Sequence, residues 1–401
     1  MKILVTDGEN RSALAVTRSL GRKGCHVFVS GSRKDNLASA SKYCQQGISI
    51  PDPLQSGSGY VEEICKFVSR QNIDVIIPMT EQSIYLLNPF RTSLPGSSVL
   101  ACPEPEKVEA VADKVKLYRL AERLGVAIPQ TIYLTNENDL SEVVNSIKSY
   151  PVVIKPALSR IATSSGFLAA SVTYANSRQE LEEQYATNRT LRYPSMIQEK
   201  IVGPGTGLFT LYGKDQHLAL FSHRRLREKP PSGGVSVVSE SVPLDKEMVE
   251  ASDRLLASVA WEGVAMVEFK RDVRDARAKL IEINGRLWGS LQLAITCGID
   301  FPALLIDYLE GKSLPGPIQR YRVGHRMKWI LGTLDHLLIC LKNNDPKLSL
   351  SCGGPSRFKA ILDFMKIWGS NTSFDVFDRE DLRPFMLEVK SYIQTLMRRD
   401  K

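Results

Sequence analysis

Residues 279–289 read Lys-Leu-Ile-Glu-Ile-Asn-Gly-Arg-Leu-Trp-Gly, and fourteen residues before Glu282 a second acid, Glu268, follows the apolar run Val264-Ala265-Met266-Val267. Each acid sits at the polar end of a β-prone stretch, 263–269 and 279–283, and the Arg- and Asp-rich segment 270–278 between them suits a hairpin turn. Antiparallel pairing of the two stretches places both carboxylates on one face, with Asn284 alongside. Two carboxylates and an amide oxygen form a hard-oxygen cluster. Mg²⁺ prefers such donors when it also shares phosphate oxygens with a nucleotide. Read in isolation, the pattern equally fits an edge hairpin with solvated acids, so the rest of the chain decides.

A chain of 401 residues is long enough for two or three domains. Its net charge of +8 points to an anionic ligand or surface. Nucleic acid is not expected, because no Arg/Lys stripe interleaved with aromatics appears. The seven cysteines are scattered singly and no CxxC occurs, which fits buried thiols in a reducing compartment. Met-Lys-Ile-Leu-Val-Thr reads directly as a strand, so a secretory leader is not expected. The longest apolar run near the C-terminus, 329–341, is too short to span a bilayer and contains Asp335 and His336. A cytoplasmic protein with no transmembrane segment is expected.

The first hundred residues alternate strands (2–6, 25–30, 74–78, 98–101) with helices (11–24, 61–71), the signature of a parallel, doubly wound sheet. Ligands of such sheets bind at the carboxyl ends of strands. That singles out the loop 7–12 and the loop 79–83 with Thr80 and Glu81. The first lacks G-x-G-x-x-G, so a dinucleotide is not indicated. A charged helix is predicted over 103–125, ending at Gly125 with Pro129 beyond, and another over 138–149.

In Val152-Val153-Ile154-Lys155-Pro156 a lysine interrupts an apolar strand and must snorkel, pair with an anion or sit at the strand's end. The small, hydroxyl-rich segment 159–166, with Ser164 and Ser165, suits a hairpin tip that folds over phosphates. Strands are expected at 195–202, 208–212, 219–227 and 235–242, with helices at 246–260, 291–298 and 301–311. Residues 312–401, broken by Pro and Gly, read as a mostly helical appendage.

Taken in order, Asp113-Lys114 before a helix that ends at Gly125, Val153-Ile154-Lys155-Pro156, the loop 159–166, Ile197-Gln198-Glu199-Lys200, and Glu268 with Glu282-Ile283-Asn284-Gly285-Arg286 resemble the ATP-grasp superfamily. The segment 224–289 most resembles its carboxylate–amine ligase-like branch, related to carbamoyl-phosphate synthetase. The resemblance implies an α/β (α+β) architecture: a Rossmann-like pre-ATP-grasp domain over 1–112, an ATP-grasp domain over 113–311 that holds nucleotide between two α+β subdomains, and the C-terminal region 312–401.

It also implies the roles of residues. Lys114 and Lys155 would lie over the ATP phosphates, with Ser164 and Ser165 in the phosphate loop. Gln198, Glu199, Lys200 and Ile201 would meet the adenine edge. Glu268, Glu282 and Asn284 would hold Mg²⁺ or Mn²⁺, and Arg286 would stabilise the transferring phosphoryl group. The implied reaction activates a small-molecule carboxylate as an acyl phosphate and couples it to an amine, in a protein that could form a homodimer.

Two departures stand out. The stretch 203–207 supplies no acid for the ribose, and the phosphate loop has Gly166 with serines in place of a glycine pair.

Substrate contacts are expected from Arg224, Arg225 and Arg227, which alternate around a strand so that at least one faces the cleft, and from Thr80 and Glu81. Competing readings are an ATP-dependent carboxylase or phosphoryl-transfer enzyme on the same scaffold, against which no biotin-carrier signature is present, and a nucleotide-binding, membrane-peripheral protein resting its basic, apolar segment 320–341 on anionic lipid.

Overall fold

The computed structural model describes residues 1–163, 166–230, 234–314, 316–342, 357–365, 369 and 371–399. Its N-terminal sheet joins Lys2–Val5, His26–Gly31, Cys44–Ser49, Val75–Ile77 and Val99–Leu100, all parallel, with Lys2–Val5 at the centre. The doubly wound expectation holds. The strand Cys44–Ser49 escapes a hydrophobicity reading because its sequence, Cys-Gln-Gln-Gly-Ile-Ser, is largely exposed and polar.

At the carboxyl ends of the central strands, Asp7 takes a left-handed backbone (φ 54°). Its carboxylate accepts from Ser83 Oγ at 2.7 Å and Met79 N at 3.3 Å. Burial pushes this carboxyl above its usual range, and hydrogen bonds from Thr6 and Ser83 work against that shift. The two loops singled out from sequence are thus tied together by one buried acid.

The helix predicted over 103–125 is two helices, Pro105–Ala112 and Lys114–Arg123. Asp113 breaks them by leaving the helical backbone and capping the second, accepting from Lys116 N at 3.0 Å. The segment 138–149 forms short turns, of which Leu140–Val143 is the helical part. With Thr131–Leu134, Val152–Pro156, Thr173–Ala175 and Ser195–Glu199 it builds a small subdomain around its own core of Ile154, Ile197 and Leu181. From this subdomain the hairpin Arg160–Thr163 and Gly166–Ala169 projects, as expected for 159–166. Ser164 and Ser165 lie outside the described residues.

The central sheet has seven strands, in the order Ala278–Asn284, Gly263–Arg271, Gly205–Gly213, Gln216–Lys229, Val235–Ser241, Arg326–Lys328 and Thr372–Phe374. The last two come from 312–401, whose described residues are mostly helical, as expected, in Ile330–Lys342, Arg357–Met365 and Arg383–Arg399. Residues from this region extend the sheet. They also lock onto the first domain, where the buried Arg18 guanidinium donates to Asp381 at 2.9 Å and to the Val376 carbonyl at 3.0 Å. A three-residue strand carries too little periodicity to be read, and its pairing is decided by partners far away in the chain.

Helix Ile330–Lys342 buries Leu331, Thr333, His336 and Leu337, and His336 Nδ1 lies 2.7 Å from the Glu228 carbonyl oxygen. Much of the face offered to lipid in the membrane reading is therefore spent on the protein's own sheet. No single helix among the described residues is long and apolar enough to cross a membrane. One core spans the first domain and the central sheet, joining Val5, Leu14 and Val16 to Phe209, Trp288 and Phe301. Met79 belongs to this shared core, and Thr80 and Glu81 follow it in the chain.

Candidate active site

Strands Gly263–Arg271 and Ala278–Asn284 pair antiparallel with Glu268 opposite Glu282 and Met266 opposite Asn284. A bulge follows Glu268 and shifts the register, a device that re-aims side chains at functional sites. Arg225 Nη2 donates to Glu268, and its Nη1 donates to Glu228 at 3.0 Å. Asn284 Nδ2 donates to Glu282 Oε1 at 2.8 Å, which leaves the Asn284 amide oxygen as a further hard donor.

Burial raises the Glu268 carboxyl above its usual range and the nearby Glu282 adds to the effect, outweighing Arg225. For Glu282 burial is again the largest influence, but Lys114, Asn284, Lys155 and Arg225 together hold it below. Neighbouring like charges are costly unless cations offset them, and Arg225, Lys114 and Lys155 do so in part. Among the described residues no group of three His, Cys, Asp or Glu could hold a metal ion, so a divalent cation here would depend on the two acids, the Asn284 amide oxygen and oxygens from a ligand.

Two lysines act on Glu282. Lys114 Nζ donates to Ser159 Oγ at 3.0 Å. Lys155 Nζ donates to the Tyr118 hydroxyl at 3.1 Å and lies 5.4 Å from that ring's centroid. Burial pushes the Lys155 ammonium down to about 8, although Glu282 and Glu268 pull it up. A lysine inside an apolar strand is satisfied here by a hydroxyl, a ring face and two acids.

The strand Ser195–Glu199 runs beside it, with Met196 opposite Lys155. Gln198 is buried and donates to Thr131 Oγ1 at 2.8 Å. Glu199 is engaged by Gln130 N at 3.0 Å, Arg274 at 2.7 Å and Lys279 at 3.2 Å, so its carboxylate ties the subdomain to the hairpin turn. Lys200 Nζ sits 5.6 Å from the Tyr174 ring centroid and Ile201 is buried, leaving the main chain of 199–201 as what this hinge can offer a base edge.

A cleft of about 860 Å³ opens in front of the acids. Glu268, Glu282, Asn284, Arg286 and Arg225 form one wall, and Thr80 and Glu81 of the first domain the other. Lys114, Lys155 and residues 198–201 lie outside this lining. Thr80 caps helix Glu81–Leu87, accepting from Ser83 N at 3.2 Å. Arg286 Nη2 is 4.0 Å from Glu81, and Arg286 Nε is buried without a partner among the described residues.

Of the three strand arginines, Arg225 faces the cleft. Arg224 points to the opposite face and binds Glu240 at 2.6 Å, a carboxylate shared with Arg326 at 2.9 Å. Register shifts on either side of Arg227 rotate it away from the cleft lining, and its charge acts on His336 and Cys340 of the neighbouring helix. Arg224 and Arg227 are thereby corrected as substrate contacts. Period-2 geometry sorted the first from Arg225, and an unpredictable irregularity displaced the second.

His223 and Ser290 were not singled out from sequence, yet both line the cleft, with His223 Nε2 2.6 Å from Ser290 Oγ. The imidazole stacks on Phe209 at 4.5 Å, and burial, then Arg225, push its pKa down to about 3, so the ring is neutral. Its signal lay in strand alternation with Arg225. Trp329 also reaches the cleft, from a region with no motif to mark it.

A family model described as ATP-grasp in the biosynthetic pathway with Ter operon matches residues 219–331. The chain is 22% identical over 335 residues to a putative urea carboxylase of Emericella nidulans, covering 78% of this chain and 26% of that protein. It is 24% identical over 212 residues to a ribosomal protein bS6–L-glutamate ligase of Escherichia coli, covering 52% of this chain and 66% of that one. The alignments thus span about a quarter of the first relative and just under two thirds of the second.

Among solved structures, N5-carboxyaminoimidazole synthetase from Staphylococcus aureus complexed with ADP superposes with a TM-score of 0.63 at 16% identity over 86% of each chain. L-amino acid ligase from Bacillus licheniformis superposes with a TM-score of 0.57 at 18% identity, over 76% of this chain and 73% of that one. The chain has the ATP-grasp fold.

Proposed function

We propose that this protein is an ATP-dependent ligase that joins a carboxylate to an amine. In the first step a substrate carboxylate oxygen attacks the γ-phosphorus of ATP, the bond to the β-phosphate oxygen breaks, and ADP leaves. In the second the amine nitrogen attacks the acyl carbon, the acyl C–O bond breaks, phosphate departs and the nitrogen gives up a proton. Such phosphoryl transfer needs positioning and charge neutralisation more than a protein nucleophile. The cleft offers those means: Arg225, Arg286 and the two acids converge on one space.

The observation that carries the proposal is the pairing of Glu268 with Glu282 on one wall of a cleft whose other wall carries Thr80 and Glu81. Mg²⁺ or Mn²⁺ bound by Glu268, Glu282 and Asn284 would supply charge neutralisation between nucleotide phosphates. Lys114 and Lys155 both act on Glu282, which suits them to the nucleotide phosphates. The hinge 198–201 would meet the adenine through its main chain. Arg286, with a donor left over, suits the transferring phosphoryl group. Thr80 and Glu81 would meet the substrates from above.

Similarity to a glutamate ligase and an L-amino acid ligase supports amide formation, whereas similarity to a urea carboxylase supports bicarbonate as the activated acid. ADP release measured with pools of carboxylates and amines, and separately with bicarbonate, tests the choice. Release that requires an amine and yields no AMP supports the ligase. Release driven by bicarbonate alone favours the carboxylase.

A further inference from the structure

We propose that the cleft holds its substrate at two poles, the reacting group at the Glu268–Glu282 pair and an additional anionic group at the far end, among Arg11, Lys229 and Trp329. This rests on the ligase reading and names its substrate class: an acid or amine that carries an extra carboxylate or phosphate.

Trp329, Arg11 and Lys229 all line the cleft. The Arg11 guanidinium lies 4.1 Å, and Lys229 Nζ 5.4 Å, from the centroid of the Trp329 ring. Each cation is pinned from behind. Arg11 pairs with the buried Asp375, and Lys229 pairs with Asp335, which also accepts from the Tyr392 hydroxyl. Trp329 Nε1 is itself held by Glu388 at 2.7 Å. None of these acids belongs to the cleft lining, whose carboxylates among the described residues are Glu81, Glu268 and Glu282.

The far end therefore turns cationic donors toward the cleft, with the acids they pair with outside its described lining. A guanidinium has five N–H donors and an ammonium three, so neither is exhausted by its partner. Asn10 and Ser12 reach the same cleft at the start of helix Arg11–Arg22, where Asn10 makes no side-chain cap among the described residues and the first main-chain N–H groups favour an anion. Cations fixed by packing on both sides lose little freedom when they bind, which is what a recognition site requires.

The two poles are separated along one strand. Lys229 follows Arg225, the partner of Glu268, by four residues, a travel of roughly 10–13 Å. That distance suits an extended molecule with charges at both ends. It also gives the C-terminal region a task, since Asp335, Asp375 and Glu388 orient the cations and the indole.

Calorimetric titration of the full chain, with MgADP present, tests this with dicarboxylates from succinate to suberate against their monoamides, and 3-phosphoglycerate against glycerate. The doubly charged probes are expected to bind at least about tenfold tighter. The preferred one identifies the anion. Lys229→Gln should remove that advantage, and Trp329→Phe should reduce it, while MgADP affinity stays within about twofold. Equal binding of charged and uncharged partners, no binding of any probe, or unaltered selectivity in both folded variants overturns the proposal. Failure to release ADP with any acid and amine would instead count against the ligase reading and leave this binding comparison intact.

Discussion

Glu268 lies directly opposite Glu282 on neighbouring antiparallel strands, and Arg225 reaches from the next strand but one to hold the first of them. The two acids are therefore unequal. One is paired with a guanidinium within the fold, and the other is held ionised by Lys114 and Lys155.

Glu282→Gln keeps the shape and the Asn284 contact but removes the better ionised acid. Divalent-cation affinity, followed with Mn²⁺ by electron paramagnetic resonance, should fall by at least about 100-fold, with ADP release falling in parallel. Unchanged Mn²⁺ binding in a folded variant would remove the metal assignment.

Lys155→Ala deletes a buried ammonium. If it contacts phosphate, ADP affinity should drop by about 10–100-fold, the worth of a charge-assisted hydrogen bond of roughly 1.5–3 kcal/mol. Titration calorimetry reads this directly, and an affinity equal to the parent's would contradict the phosphate role.

Arg225→Gln and Arg224→Gln separate the two faces of one strand. The first should lower turnover by about 100-fold or more, because its guanidinium faces the reacting space. The second breaks a partly exposed pair with Glu240 and should cost roughly 1 kcal/mol of stability or less, with turnover near the parent's. Equal losses would show that the cleft is not where Arg225 points.

Glu388 gives a pH signature. Burial, opposed by the Trp329 N–H, pushes its carboxyl from 4.5 up to about 7. A raised carboxyl is favoured in its protonated form by the fold, so its contribution is complete below about pH 4.5 and is lost as pH rises through 7. Glu388→Gln should raise stability at pH 8 by on the order of 1–3 kcal/mol relative to the parent and leave it little changed at pH 4.5. Thermal melts at both pH values check it, and a gain that does not depend on pH would refute the cause.

Much of the site was legible because it is local. A strand–turn–strand unit needs no distant partner to place Glu268 beside Glu282, and Lys155 announced itself by being wrong for its strand. Alternation also separated Arg224 from Arg225 in principle, although the strand's phase relative to the cleft could not be read. Arg227 resisted because register irregularities leave no mark in composition.

By itself, the sequence determined the alternating first domain, the acid-bearing hairpin and the order of elements between them, since strand and helix periodicity and turn residues act over short range. The tertiary structure alone decided that Arg326–Lys328 and Thr372–Phe374 complete the central sheet, that Glu199 is spent on Arg274 and Lys279, and that Trp329 closes a cleft begun near Arg11. Those relationships join residues up to hundreds of positions apart, and their energy comes from burial and charge pairing that exist once the chain has packed.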